Sequence, residues 1–180
     1  MSSYSRILVF FIFFCALCAA SAAEQPGLRG DYFSGSDFQD LRLTRTDAQI
    51  AFNWGVGAPD AALPADHFCV RWSGTLTPTF SEMYTLTATG DDGIRVRIGS
   101  TLVIDRWTNQ SARPVSGQIS LVAHQAVPIT IEYYENSGFA SVKLEWASAH
   151  QVRGVIPTTA FRCTPLEPLP PGTGSGLLGQ

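Results

Sequence analysis

Lysine is nearly absent from this chain: Lys143 stands alone, and no run of Lys or Arg occurs in the 180 residues. Binding to nucleic acid needs a basic face that neutralises phosphates, so no nucleic-acid partner is expected, and nothing signals a charged membrane surface. Helical periodicity is missing as well; no stretch repeats apolar residues at three- and four-residue spacing. Catalytic signatures are also lacking. His67, His124 and His150 are far apart and show no HExxH-type spacing, and no nucleophile-elbow serine occurs. Glu132, Glu135 and Glu145 could be imagined as an acid/base pair, but Glu132 and Glu145 are the polar beats of alternating segments. The chain is not expected to be an enzyme.

Long apolar runs are limited to one. Ile7 to Cys18 follows Arg6 and precedes the small residues Ala20-Ser21-Ala22. This order predicts a signal peptide over residues 1–22, and the run is short for a membrane span. Arg6 is the only charged residue of that segment, so its removal takes the net charge from −3 to −4. Export to the periplasm, the cell surface or the medium is expected, without membrane insertion. Of the four cysteines, Cys15 and Cys18 leave with the signal. Cys69 and Cys163 remain, an even pair in an oxidising compartment, and a Cys69–Cys163 disulfide is predicted. Two separate buried thiols are the alternative.

What the chain does have is period-two alternation. Tyr84, Leu86 and Ala88 alternate with threonines, and Ile94, Val96 and Ile98 with arginines. Val127, Ile129, Ile131 and Tyr133, then Val142, Leu144 and Trp146, repeat the pattern, as do Phe68, Val70 and Trp72. Turn chemistry separates them at Gly90–Gly93, Gly99-Ser100, Ser116-Gly117 and Asn136–Gly138. The fold class read from this is all-β, an antiparallel β-sandwich or barrel occupying residues 23–163. Asn53 to Pro64 is a long Gly/Pro/Ala loop, of the kind that often carries a role. Residues 164–175 have linker composition. Gly176-Leu177-Leu178-Gly179-Gln180 echoes Gly27-Leu28-Arg29-Gly30-Asp31, which predicts the start of a second copy and further domains beyond Gln180.

Asp91-Asp92, between Gly90 and Gly93, is expected at the tip of a β-hairpin. Adjacent carboxylates repel unless a cation lies between them, and loops rich in oxygen donors hold Ca²⁺; a metal-free polar turn is the plainer alternative. Among the tryptophans, Trp72 and Trp146 alternate with polar neighbours and are expected in the core. Trp54 and Trp107 sit in looplike contexts and are slightly better candidates for stacking on a ligand. Asn109-Gln110-Ser111 is a glycosylation sequon.

Taken in order, the residues resemble the PA14 domain. The resemblance rests on Gly27-Leu28-Arg29-Gly30-Asp31-Tyr32-Phe33, Phe52-Asn53-Trp54-Gly55, Phe68-Cys69-Val70-Arg71-Trp72-Ser73-Gly74 and Gly90-Asp91-Asp92-Gly93-Ile94-Arg95. Ile131-Glu132-Tyr133-Tyr134-Glu135-Asn136, Leu144-Glu145-Trp146 and Val155-Ile156-Pro157 complete it. The resemblance implies a β-sandwich module without catalysis. Its adhesin branch further implies a cis-linked aspartate pair that binds Ca²⁺, which in turn meets sugar hydroxyls. Carried onto this sequence, the metal ligands are Asp91, Asp92, Asn136 and the carbonyls of Gly138 and Ala140, with Ser137 and Phe139 facing the ligand. The expected function is therefore a secreted, calcium-dependent module for carbohydrate binding and adhesion, with glycans as partners. The alternative is a structural or protein-interaction spacer that binds neither metal nor sugar.

Overall fold

The computed structural model describes residues 23–166. The expected signal peptide, most of the expected linker and the possible second copy lie outside the described residues. Thirteen strands, numbered in chain order, form two antiparallel sheets. The larger contains β1 (Gln25–Pro26), β2 (Leu28–Ser34), β3 (Asp40–Asp47), β5 (Phe68–Leu76), β7 (Gly93–Ile98), β8 (Thr101–Arg106), β10 (Val127–Glu135) and β13 (Phe161–Cys163). The smaller contains β4 (Ala51–Gly55), β6 (Glu82–Asp91), β9 (Arg113–Leu121), β11 (Ala140–Ala147) and β12 (Gly154–Val155). No helix among the described residues is long and apolar enough to cross a membrane.

The alternating segments do form half-buried strands. Their inward residues, Val70 and Trp72, Tyr84 and Leu86, Ile94 and Val96, Ile131 and Tyr133, Leu144 and Trp146, meet between the sheets as the core. Trp72 and Trp146 are buried there, as expected. Trp54 joins them: its ring stacks on Phe52 at 5.0 Å and lies 5.7 Å from that of Tyr133, so it is core packing and no platform.

One buried polar knot ties β2, β3 and β5. Tyr32 and Trp72 donate to the same oxygen of Asp47, at 2.5 and 2.7 Å, and Arg45 Nε donates to the other at 2.8 Å. Arg45 also donates to the Tyr32 hydroxyl at 2.7 Å, with its guanidinium 4.4 Å above the Tyr32 ring. Burial, then the Asp47 charge, holds the Tyr32 phenol well above its ordinary value. Gly30 leaves the room: a Cβ there would stand 2.6 Å from Asp47 Oδ2.

Three expectations fail, each for a tertiary reason. The aspartate pair is not at a hairpin tip. β6 pairs with β9 and β11 in the smaller sheet, and β7 pairs with β8 and β10 in the larger, so the pair turns the chain from one sheet into the other. Ser116-Gly117 is no turn; it lies within β9. Gly117 serves close approach, because a Cβ there would meet the Val103 carbonyl of β8 at 2.0 Å. The predicted disulfide is absent: Cys69 and Cys163 are both free and buried. Cys69 opens β5 opposite Tyr134, whereas β13 meets β5 at Thr75 and Leu76. Five strand residues, about 17 Å at 3.3 Å each, separate the two positions along the sheet, far beyond disulfide reach.

Candidate functional site

The site is built where β6 crosses into β7, beside the end of β10 and the loop that leads into β11. Asp91 is the last residue of β6 and pairs with Ser141 of β11, which carries the Asn136–Ala140 loop to its side. The Asp91–Asp92 peptide bond is cis. Asp92 is 5% exposed, and its carboxylate accepts the Gln110 N–H at 2.7 Å and the Asn136 N–H at 2.9 Å. The Asp91 carboxyl is raised by burial and by the neighbouring Asp92 charge.

A third carboxylate completes the cluster. Ligand oxygens of Asp91, Asp92 and Glu135 all lie within 4.8 Å of one another. Glu135 is fully buried, and its Oε1 has no hydrogen-bond partner among the described residues. The Tyr133 hydroxyl, 3.2 Å from Oε2, also contacts the Asp91 carbonyl, and its one proton serves only one of them at a time. Burial, then the Asp92 charge, pushes the Glu135 carboxyl up to about 7.

These residues fit a hard divalent cation. Three carboxylates converge with no basic partner among the described residues, and a buried carboxylate oxygen left unpaired is costly in a folded protein. A Ca²⁺ ion between them would supply the missing partner and remove the repulsion, and oxygen is the donor such ions take. Glu135 was the residue that sequence reasoning passed over. Its signal was present: Ile129, Ile131 and Tyr133 are the inward series of β10, and Glu135 continues it. A charged residue at an inward beat marks a site or a partner.

The other predicted residues frame the cluster. Asn136 reaches Asp92 through its backbone N–H, while its side-chain amide donates to Ser137 Oγ at 3.4 Å. Gly138 holds a positive φ of 104° and donates its N–H to Asp66 at 2.9 Å. Ala140 is buried opposite Gly55. Ser137 is exposed, and Phe139 is 67% exposed. Val56, which follows Gly55, is 69% exposed, so the neighbourhood carries an apolar rim on two elements. Trp107 instead packs over Tyr134 at 4.6 Å and stacks on Phe38 at 6.0 Å, on the outer face of the larger sheet.

The raised Glu135 carboxyl gives the metal-free protein a pH dependence. The folded state keeps that proton up to about pH 7, while an unfolded glutamate releases it near pH 4.3. In that window the native state binds more protons, so stability falls as pH rises and levels off above pH 7. In chelator, the wild type is expected to lose on the order of 3 kcal/mol relative to Glu135→Gln between pH 4.5 and 7.5. Urea unfolding of both across that range measures it; parallel pH profiles would exclude the assignment.

Comparison with known proteins places the architecture. The family model described as the PA14 domain matches residues 24–158. The chain is 40% identical over 154 residues to Anti-sigma-I factor RsgI3 of Acetivibrio thermocellus, covering 86% of this chain and 24% of that protein. It therefore spans about a quarter of that relative's length. A solved anti-sigma factor domain-containing protein from Clostridium clariflavum superposes with a TM-score of 0.74 at 40% identity, over 83% of this chain and 50% of that one. A PA14 sugar-binding domain from an RTX adhesin superposes with a TM-score of 0.63 at 16% identity, over 76% of this chain and 97% of that one.

These findings overturn the expected function. The relatives at about 40% identity are named as anti-sigma factors, whereas the adhesin domain shares the fold alone. The carbohydrate-binding adhesion module is therefore not the reading that survives. With the family model matching most of the described residues and the sandwich and its crossover in place, the chain belongs to the PA14 domain family.

Proposed function

We propose that this chain is the recognition module of a regulator of the anti-sigma-factor type, a PA14 domain that holds calcium and reads an oxygen-bearing ligand without covalent chemistry. The observation that carries the calcium site is the buried, unpartnered Glu135 oxygen converging with Asp91 and Asp92 within 4.8 Å. The regulatory reading is supported by the 40% identity to Anti-sigma-I factor RsgI3 over a quarter of that protein's length. The rest of such a longer protein would carry the response. Export is supported by the Arg6, Ile7–Cys18, Ala20–Ala22 order.

Asp91, Asp92 and Glu135 would hold the ion, with Asn136 and the carbonyls of Gly138 and Ala140 as further oxygen donors. The ion, when bound, supplies fixed positive charge and coordination positions that ligand oxygens can fill, a glycan's hydroxyls among them. Asp92 is held in place by two backbone N–H groups, so it enters the site already oriented. Phe139 and Val56 offer apolar surface at the rim, which would exclude water from one side of a bound molecule. β1 and β13 pair beside the Thr75–Leu76 end of β5, while the site lies by its Phe68 end. The cluster is thereby set apart from the strands that begin and end the domain.

The test is a calcium titration by calorimetry together with thermal unfolding in chelator and in millimolar calcium. At a calcium concentration 100 times Kd, mass action adds about 2.7 kcal/mol, a rise in Tm of about 5–10 °C for a domain of this size. An unchanged Tm and no binding heat would refute the calcium site.

A further inference from the structure

Behind the aspartate pair, on the side away from the Asn136–Ala140 loop, runs the connection from β8 to β9. It makes two kinds of contact there. The Gln110 N–H donates to Asp92 Oδ1 at 2.7 Å, and the Gln110 side-chain amide reaches the carbonyls of Asp92 and Gly90 at 3.3 and 3.4 Å. The connection is itself hung on β10. The Tyr134 hydroxyl donates to Asn109 Oδ1 at 2.8 Å, and Trp107 packs edge-on over the Tyr134 ring at 4.6 Å. Tyr134 lies so close to the aspartates that only glycine fits after them: a Cβ on Gly93 would fall 2.0 Å from the Tyr134 ring.

We infer that Tyr134, Asn109 and Gln110 are positioning residues for the cation site, a relay that runs from β10 through the β8–β9 connection to the Asp92 carboxylate. This rests on the calcium reading above and extends it to residues outside the ligand set. The physical reason is that Asp91 and Asp92 sit where the chain leaves one sheet for the other, so strand pairing orients only Asp91. Asp92 belongs to no strand. Its carboxylate is oriented by the two N–H groups it accepts, from Gln110 and Asn136, and the first of these is only as well placed as the connection that carries it. Tyr134 supplies that placement by one hydrogen bond from the sheet. Its neighbour Tyr133 points to the opposite face, into the core at Asp91 and Glu135, so consecutive tyrosines of β10 serve the two sides of one site.

The experiment uses Tyr134→Phe, which removes the hydroxyl and keeps the ring against Trp107 and Gly93, and Asn109→Ala, which removes its acceptor at an exposed position. In chelator, amide hydrogen exchange at Gln110 is expected to speed up at least tenfold in Tyr134→Phe, with unchanged circular dichroism. Calcium Kd is expected to rise about tenfold in each variant, within the range for groups that orient metal ligands. The double variant should be no weaker than either single one, since both act through one bond. Unchanged Gln110 exchange in Tyr134→Phe, or additive losses in the double variant, would overturn the relay. Should wild type take up no calcium while Gln110 exchange still responds, the relay to Asp92 stands and the calcium reading falls.

Discussion

Alanine at Asp92 is expected to abolish calcium uptake, raising Kd on the order of 100-fold or more, and to destabilise the metal-free protein as well. The two effects have different origins. The first is the loss of an oxygen ligand from a cluster of three carboxylates. The second comes from the backbone: Asp92 is the acceptor for the Gln110 and Asn136 N–H groups, and truncation strands both donors in a site that is 5% exposed at Asp92. A buried donor without a partner costs about 1–3 kcal/mol. Glu135→Gln separates the two. It also removes a ligand charge, yet Glu135 Oε1 has no partner to strand, so in chelator that variant should be at least as stable as wild type near neutral pH. Calorimetry for uptake and urea unfolding in chelator for stability check both statements. Wild-type calcium affinity in Asp92→Ala would remove this residue from the site.

The second large effect is predicted far from the site, at Asp47. Asp47→Ala takes away the acceptor shared by Tyr32 and Trp72 and the counter-charge of Arg45. Truncation strands two buried donors, the Tyr32 hydroxyl and the Trp72 N–H, at about 1–3 kcal/mol each, and leaves the part-buried Arg45 without its counter-charge. Asp47→Asn, which keeps an acceptor oxygen for the tyrosine and the indole, should lose less. A midpoint shift in urea with an unchanged slope is the expected signature; an alanine variant within 1 kcal/mol of wild type would show that the knot adds little. Calcium affinity should be unchanged in either Asp47 variant, because β3 supplies nothing to the acidic cluster.

Much of the fold was legible because a half-buried strand writes its own period. Trp72 and Trp146 were placed in the core from alternation alone, and both are there. The same rule, carried one beat further along β10, would have drawn Glu135 into the site, since it follows Ile131 and Tyr133 on the inward face. Alternation says which face a residue takes and nothing about which strand lies beside it. For that reason β6 and β7 looked like the arms of a hairpin, although they belong to different sheets. Gly117 misled in the same way. A glycine required for a turn and a glycine required for contact with the Val103 carbonyl are identical in sequence, and only the approach of β8 to β9 separates them. The cysteines failed for lack of distance: an even count in a chain expected to be exported says that two thiols can pair, and the strand register puts them at different ends of β5.

By itself, the sequence determined the β-sandwich, its membership in the PA14 family and the importance of Asp91-Asp92 beside the Asn136 loop, because alternation, turn chemistry and the order of motifs are local properties of the chain. Tertiary structure decided what the pair does in the fold. It turned a supposed hairpin tip into a crossover between sheets, brought Glu135 in from β10 as a third carboxylate, and set Tyr134 and Gln110 behind Asp92. Those contacts join residues tens of positions apart, and their energetics depend on burial: an unpaired carboxylate is unremarkable in water and becomes a demand for a cation only once the core has closed over it.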